Sequence, residues 1–131
     1  MGASVRKMLF YSRPHKLQAY ETVGNYQDVH GLTVFTISEM DNEKYELLVA
    51  VHELIEKILV DARGIPLESI DQFDMAFEAA REPGNVDEPG HEPTAPYHRE
   101  HVFAEKVERL LAAELGVDWD DYDKTVMGLS Q

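Results

Sequence analysis

The chain has 131 residues, enough for one domain with a sizeable core and no need of covalent staples. It contains no cysteine, which excludes disulfides, thiolate metal sites and thiol nucleophiles; any metal must be held by His, Asp or Glu. The 25 acidic residues outnumber the 12 basic ones, and a net charge of −13 repels phosphate backbones and argues against a nucleic-acid partner.

Residues 1–7 carry some positive charge but lack the apolar stretch of a signal peptide, and Arg6 stands where myristoylation needs Ser or Thr. No apolar run approaches the ~20 residues of a membrane-spanning helix, so no membrane partner is expected. The first forty residues read as strands: a short apolar run Met8-Leu9-Phe10-Tyr11 stopped by Arg13-Pro14, then 17–23 and 32–37, both rich in β-formers. The turn-rich stretch 24–31 lies between the last two, which predicts a hairpin.

A helix is expected over about 42–63, capped by Asp41 or Asn42 and ended by Gly64. Its inward stripe is predicted as Leu47, Leu48, Val51, Leu54, Ile55, Ile58, Leu59 and Ala62. A second helix starts near Pro66, with Ser69 and Gln72 as an alternative capping box, and runs to about Arg81 with Ile70, Phe73, Phe77 and Ala80 inward. Residues 82–97 hold four of the six prolines and predict a mobile or functional loop within the domain. A third helix is expected from His98 to Leu115, with Phe103, Val107, Leu110 and Leu111 inward. A short fourth helix follows, capped by Asp118, with Trp119, Tyr122 and Val126 inward. Strands first and helices after predict an α+β fold: an antiparallel hairpin or small sheet, over residues 1–40, packed on a body of three to four helices over 41–131.

The most informative segment is His52-Glu53-Leu54-Ile55-Glu56. Residues four apart leave a helix on one face, so His52 and Glu56 can reach one ion. Glu53 sits about 100° further round, where the catalytic base of a His-Glu-x-x-His helix sits. Tyr45, Val49 and Val60 lie beyond the pair, which is thereby flanked by apolar residues on both sides. A buried carboxylate there needs a partner: a metal ion, a basic side chain, a backbone donor or His52 itself.

The third helix repeats the spacing with His101 and Glu105 and adds His98 on the same stripe. If the two helices meet, a His and carboxylate site suited to Zn²⁺, Mn²⁺ or Fe²⁺ closes; otherwise the stripe is an ordinary solvated face. On the second helix Asp71, Asp74 and Glu78 share a stripe, and Asp74 is the strongest candidate among them. His91 could reach a site from the loop, and Arg81 or Arg99 could neutralise acids or bind an anionic substrate. There is no Gly-rich phosphate loop and no Gly-x-Ser-x-Gly.

The helix with His52-Glu53-x-x-Glu56, following a strand, resembles the minimal zincin metallopeptidases, with Glu56 in place of their second His. Across most of the chain, Ser38-Glu39-Met40, Tyr45-Glu46-x-Leu48-Val49-x-x-His52-Glu53-Leu54-x-Glu56, Asp71-x-Phe73-Asp74, Pro89-Gly90 and Ala95-Pro96-Tyr97-His98-x-x-His101 resemble a family of small phage- and prophage-encoded proteins. That resemblance implies an origin, in a bacterial host's cytoplasm or on a virion, and no activity. Glu53-x-x-Glu56 is also similar to half of the Mg²⁺-binding pattern of all-helical nucleotide pyrophosphohydrolases.

Two functions are therefore carried forward. One is a metal-binding protein acting as a metal-dependent hydrolase, with ligands His52, Glu56 and His101, the shell completed by Glu105 or His98, Glu53 as general base and loop 82–97 as a lid. The other is a non-catalytic phage accessory protein that presents an acidic surface to a host or virion component; the chain could also form a homo-oligomer.

Overall fold

The computed structural model describes residues 7–129; the readings of a targeting signal and of myristoylation rest on a segment, residues 1–6, that lies outside this range. The fold is α+β. Three strands, β1 (Lys7–Arg13), β2 (Gly24–Val29) and β3 (Leu32–Ser38), form a sheet in the order β1-β3-β2. Four helices follow: α1 (Glu43–Ala62), α2 (Leu67–Ala79), α3 (His98–Glu114) and α4 (Trp119–Gly128). Among the described residues no helix is long and apolar enough to cross a membrane.

Local chemistry sets the helix ends. The Asn42 side chain accepts from the Tyr45 N–H at 3.2 Å and Asp118 accepts from the Asp121 N–H at 3.0 Å, each satisfying an otherwise orphaned donor. Gly64 and Gly116, just past α1 and α3, take the left-handed conformation that closes a helix (φ 67° and 70°). Pro66 precedes α2 as its cap residue, without a side-chain bond.

The sheet corrects the expected strand positions. Residues 17–23 do not form a strand; the stretch read as a turn does, and the turn shrinks to His30-Gly31, with φ of 49° and 79° between paired Val29 and Leu32. Two left-handed residues match the twist of a two-residue hairpin. Gly24 is thus no turn glycine. It is buried against α1, where an added Cβ would stand 2.8 Å from Glu53 Cγ and 2.9 Å from Val49 Cγ1. Gly24→Ala is expected to cost about 1–3 kcal/mol of stability in urea titration, because the contact forces Glu53 or the strand to move; an unchanged midpoint would show that α1 is not held this close.

The stretch before β2 is instead tied down by side chains. Gln18 donates its amide to the Thr36 carbonyl at 3.2 Å, and His15 Nδ1 lies 2.8 Å from Ser38 Oγ. β1 is not part of the hairpin. It pairs parallel to β3, Lys7 opposite Leu32 through Arg13 opposite Ser38, with Phe10 stacked on Phe35 at 4.2 Å between ring centroids.

The helix faces are also corrected. The side of α1 turned inward carries Leu48, Val49, His52, Glu53, Glu56, Lys57 and Val60. Leu47 and Ile58, expected inside, are each 50 % exposed. On α3 the inward side carries Glu100, His101, Ala104, Glu108 and Ala112, while Phe103 and Leu110 face out at 49 % and 70 % exposure. On α2, Ile70 is buried with Asp74, whereas Ala80 is exposed.

The cause is mutual satisfaction. The polar stripes of α1 and α3 hydrogen-bond to each other, and the small Ala104 and Ala112 let the two helices approach. An apolar cluster closes each end of this polar layer. Ile37, Leu48, Val49, Ala112 and Tyr122 form one, and Val60, Ile70, Ala95 and Tyr97 the other. Residues 82–97 lie along the body rather than away from it. Arg81 donates to the carbonyls of Asn85 and Asp87, and Gly90, Ala95 and Tyr97 are buried.

Candidate metal centre

α1 contributes His52 and Glu56 one turn apart, and α3 brings His101 against them. His52 Nε2 lies 3.3 Å from Glu56 Oε2 and 3.1 Å from His101 Nδ1, and His101 Nδ1 lies 3.0 Å from Glu56 Oε2. In tetrahedral coordination with bonds of about 2.0–2.1 Å, neighbouring donors stand about 3.3–3.4 Å apart. The three atoms therefore already form a triangle close to one face of such a site. All three residues are buried.

Each donor is held from behind. Glu108 Oε1 accepts from His52 Nδ1 at 2.7 Å, which fixes the ring and turns Nε2 toward Glu56 and His101. Glu108 Oε2 in turn accepts from the Tyr122 hydroxyl at 2.5 Å, and Glu56 Oε1 accepts from the Tyr26 hydroxyl at 2.8 Å, leaving Oε2 for the triangle. A carboxylate behind a histidine is the usual support of a metal-ligating imidazole.

The electrostatics point the same way. Burial raises the cost of ionising Glu56, but hydrogen bonds and charge from His101 and His52 outweigh it and bring the carboxyl down to about 2. Burial also works against charge on His52, yet its bonds to Glu108 and Glu56 lift its pKa well above the ordinary histidine value. Without a metal, a proton on His52 occupies the place a cation would take. Burial and the charge of Glu56 push the Glu53 carboxyl well above its usual range, against the opposing pull of His52. The Glu53 side chain makes no hydrogen bond within the described residues. Asp74 accepts from Tyr97 at 2.5 Å and from Tyr20 at 3.2 Å; burial raises its pKa to about 7 in spite of those bonds. Four buried carboxyls, Glu53, Glu56, Asp74 and Glu108, thus line one cavity with His52 and His101.

The centre opens into a cavity of about 290 Å³. Its wall combines the carboxyls with Val23, Val49, Trp119 and Val126, and with Arg81, which pairs with Glu78 at 2.7 Å. Glu105 is not at the triangle. It joins Glu88, His91 and His101 in a second group of clustered donor atoms on the same cavity. His98 turns its Nδ1 to the Gly90 carbonyl at 3.0 Å and stands in neither group. Arg99 is exposed and does not line the cavity.

Sequence reasoning missed Glu108, although a signal was present: it lies two turns after His101 on the same stripe. Tyr26 and Tyr122 gave no such signal, since their roles depend on tertiary placement. Elsewhere Ser38, His15 and Glu21 make a hydrogen-bonded row with the composition of a nucleophilic triad, but Ser38 is wholly buried, so the row is a brace for the strands.

Comparison with models of known protein families, with curated proteins and with solved structures gives no match to this chain.

Proposed function

We propose that the protein binds a divalent transition metal on His52, Glu56 and His101 and uses it for hydrolysis of a small substrate in the adjoining cavity. The observation that carries this reading is the buried triangle of donor atoms, 3.0–3.3 Å on each edge, with Glu108 behind His52 and Tyr26 behind Glu56. Two imidazoles and a carboxylate suit Zn²⁺, Mn²⁺ or Fe²⁺. Such an ion supplies Lewis acidity and a water acidic enough to lose a proton near neutral pH. Glu53, next to His52 on α1 and lining the cavity, is the group to take that proton. A cavity of about 290 Å³ takes a small molecule or a single side chain of a longer substrate. Arg81 offers the charge, and Val23, Val49 and Trp119 the apolar contact, that would orient it.

Elemental analysis of untagged protein, with melting curves in EDTA and after re-addition of each metal, tests the reading. Bound metal and a higher melting temperature on re-addition are expected; neither bound metal nor a shift with any of the three ions overturns it. Glu53→Gln is expected to keep the metal and to slow any hydrolysis about 10²–10⁴-fold; loss of metal in that variant would make Glu53 a ligand.

The second reading, a non-catalytic interaction protein, is favoured by the apolar side chains that α1 and α3 leave in the open, among them Leu47, Ile58, Phe103 and Leu110. In that case the His/Glu layer is a buried hydrogen-bond network, and the triangle is expected to hold no metal.

A further inference from the structure

The far side of the His101 ring is not explained by the triangle. His101 is 6 % exposed, its Nδ1 faces Glu56 and His52, and its Nε2 is buried without a hydrogen-bond partner. The nearest acid, Glu88 Oε1, is 3.7 Å away, too long for a hydrogen bond. An unpartnered buried ring nitrogen is costly, so its surroundings matter.

Three more residues with donor atoms lie close to that ring. His91 stands edge-on to the His101 ring at 4.8 Å between centroids. His91 Nε2 lies 2.8 Å from Glu105 Oε1, and His91 Nδ1 lies 3.7 Å from Glu88 Oε2. One donor atom from each of Glu88, His91, His101 and Glu105 falls within 4.8 Å of all the others. Arg109 holds the second Glu105 oxygen at 3.2 Å and leaves the first for the group.

The chain between these residues is shaped around the ring. Glu88 caps and His91 ends a single 3-10 turn at Pro89–His91, and Gly90 within it lies against His101 so closely that any Cβ there would collide with the imidazole. His98 Nδ1 bonds the Gly90 carbonyl and fixes the turn in that place.

We propose that Glu88, His91, Glu105 and the Nε2 of His101 form a second site for a divalent transition cation, in which the 82–97 segment supplies two ligands and is clamped to α3 by the ion. Two imidazoles and two carboxylates suit Zn²⁺, Co²⁺ or Mn²⁺. The site shares His101 with the triangle but not its other ligands, so it stands or falls independently of the hydrolase reading. With both positions filled, Nδ1 of His101 would face one ion and Nε2 the other, and the ring N–H proton would be released to solvent.

The test is calorimetric titration of EDTA-stripped full-length protein with Zn²⁺, comparing wild type, His91→Ala and Glu105→Gln. Neither side chain is buried, so both substitutions leave the core untouched. Hydrogen exchange of the amides of Glu88, Gly90, His91 and Glu92, with and without Zn²⁺, gives a second readout. Wild type is expected to take two ions, each variant to lose one or to bind it at least tenfold more weakly, and Zn²⁺ to protect those amides in wild type alone. A single ion lost in His91→Ala supports this site and removes the triangle. A single ion unaffected by either variant, or wild-type stoichiometry and affinity in both variants, overturns it and leaves the triangle standing. No binding at all overturns both.

Discussion

His52→Ala is expected to cost the metal-free protein about 3–5 kcal/mol, the range for stranding buried charge by removing one partner of a buried ion pair. His52 separates Glu56 from Glu108, at 3.3 and 2.7 Å, and all three are buried. Removing the imidazole leaves two carboxylates facing each other across a methyl group, helped only by His101 and the hydroxyls of Tyr26 and Tyr122. The sign of the pH dependence follows from the raised pKa of His52. Its contribution is complete below about 6.5, the unfolded value, and is lost as pH rises through the higher folded value. Urea unfolding in EDTA at pH 6 should therefore show the largest gap between the two proteins. His52→Gln, whose amide can still donate to Glu108, should recover part of it. A loss under about 1 kcal/mol at pH 6 would mean that the two acids are protonated in the native protein and that His52 carries no charge.

Asp74→Asn is expected to stabilise the metal-free protein at high pH. The folded pKa of about 7, set first by burial, lies above the ordinary 3.8. A carboxyl raised on folding takes up a proton, so its contribution is complete below about 3.8 and is lost as pH climbs through 7. Wild-type stability should fall over that window, by at most roughly 4 kcal/mol at about 1.4 kcal/mol per pH unit. Asparagine has the shape of the neutral acid and can still accept from Tyr97. Unfolding of the two proteins in EDTA should give similar midpoints at pH 4 and a higher midpoint for the variant at pH 8, by about 1–3 kcal/mol after the weaker Tyr97 bond is allowed for. A variant less stable at pH 8 would show Asp74 ionised and well solvated by its two tyrosines. A carboxyl that titrates near neutrality on the wall of a cavity is suited to proton transfer, and the native residue then trades stability for that capacity.

The ends of the helices could be read from the sequence, and their faces could not. Asn42, Gly64, Gly116 and Asp118 act within a few residues of themselves, so their effect is local and visible. Which stripe of α1 turns inward depends on what α3 and the sheet offer in return. The stripe with more apolar residues lost to the one whose polar groups find partners. Gly24 misled the strand assignment for the same reason: glycine marks a turn in one setting and a close contact in another, and only the position of Glu53 distinguishes them. At the site, His52 and Glu56 were legible from helical spacing, and His101 from the repeat of that spacing. The separation of Glu105 and His98 from the triangle, and the support from Glu108, Tyr26 and Tyr122, follow from the antiparallel docking of α3 on α1. No spacing within either helix encodes that docking.

The placement of β1 divides the sheet into one local and one long-range pairing. Its partner β3 closes with β2 through a two-residue turn, a local event with a small loop-closure cost. β1 must instead find β3 in parallel register across the whole intervening hairpin arm, and its side chains remain largely in the open once it has done so. The β2–β3 hairpin is therefore expected to form before β1 docks. Loss of β1 from the sheet would uncover Phe35 and remove no donor of the triangle, since none lies on β1.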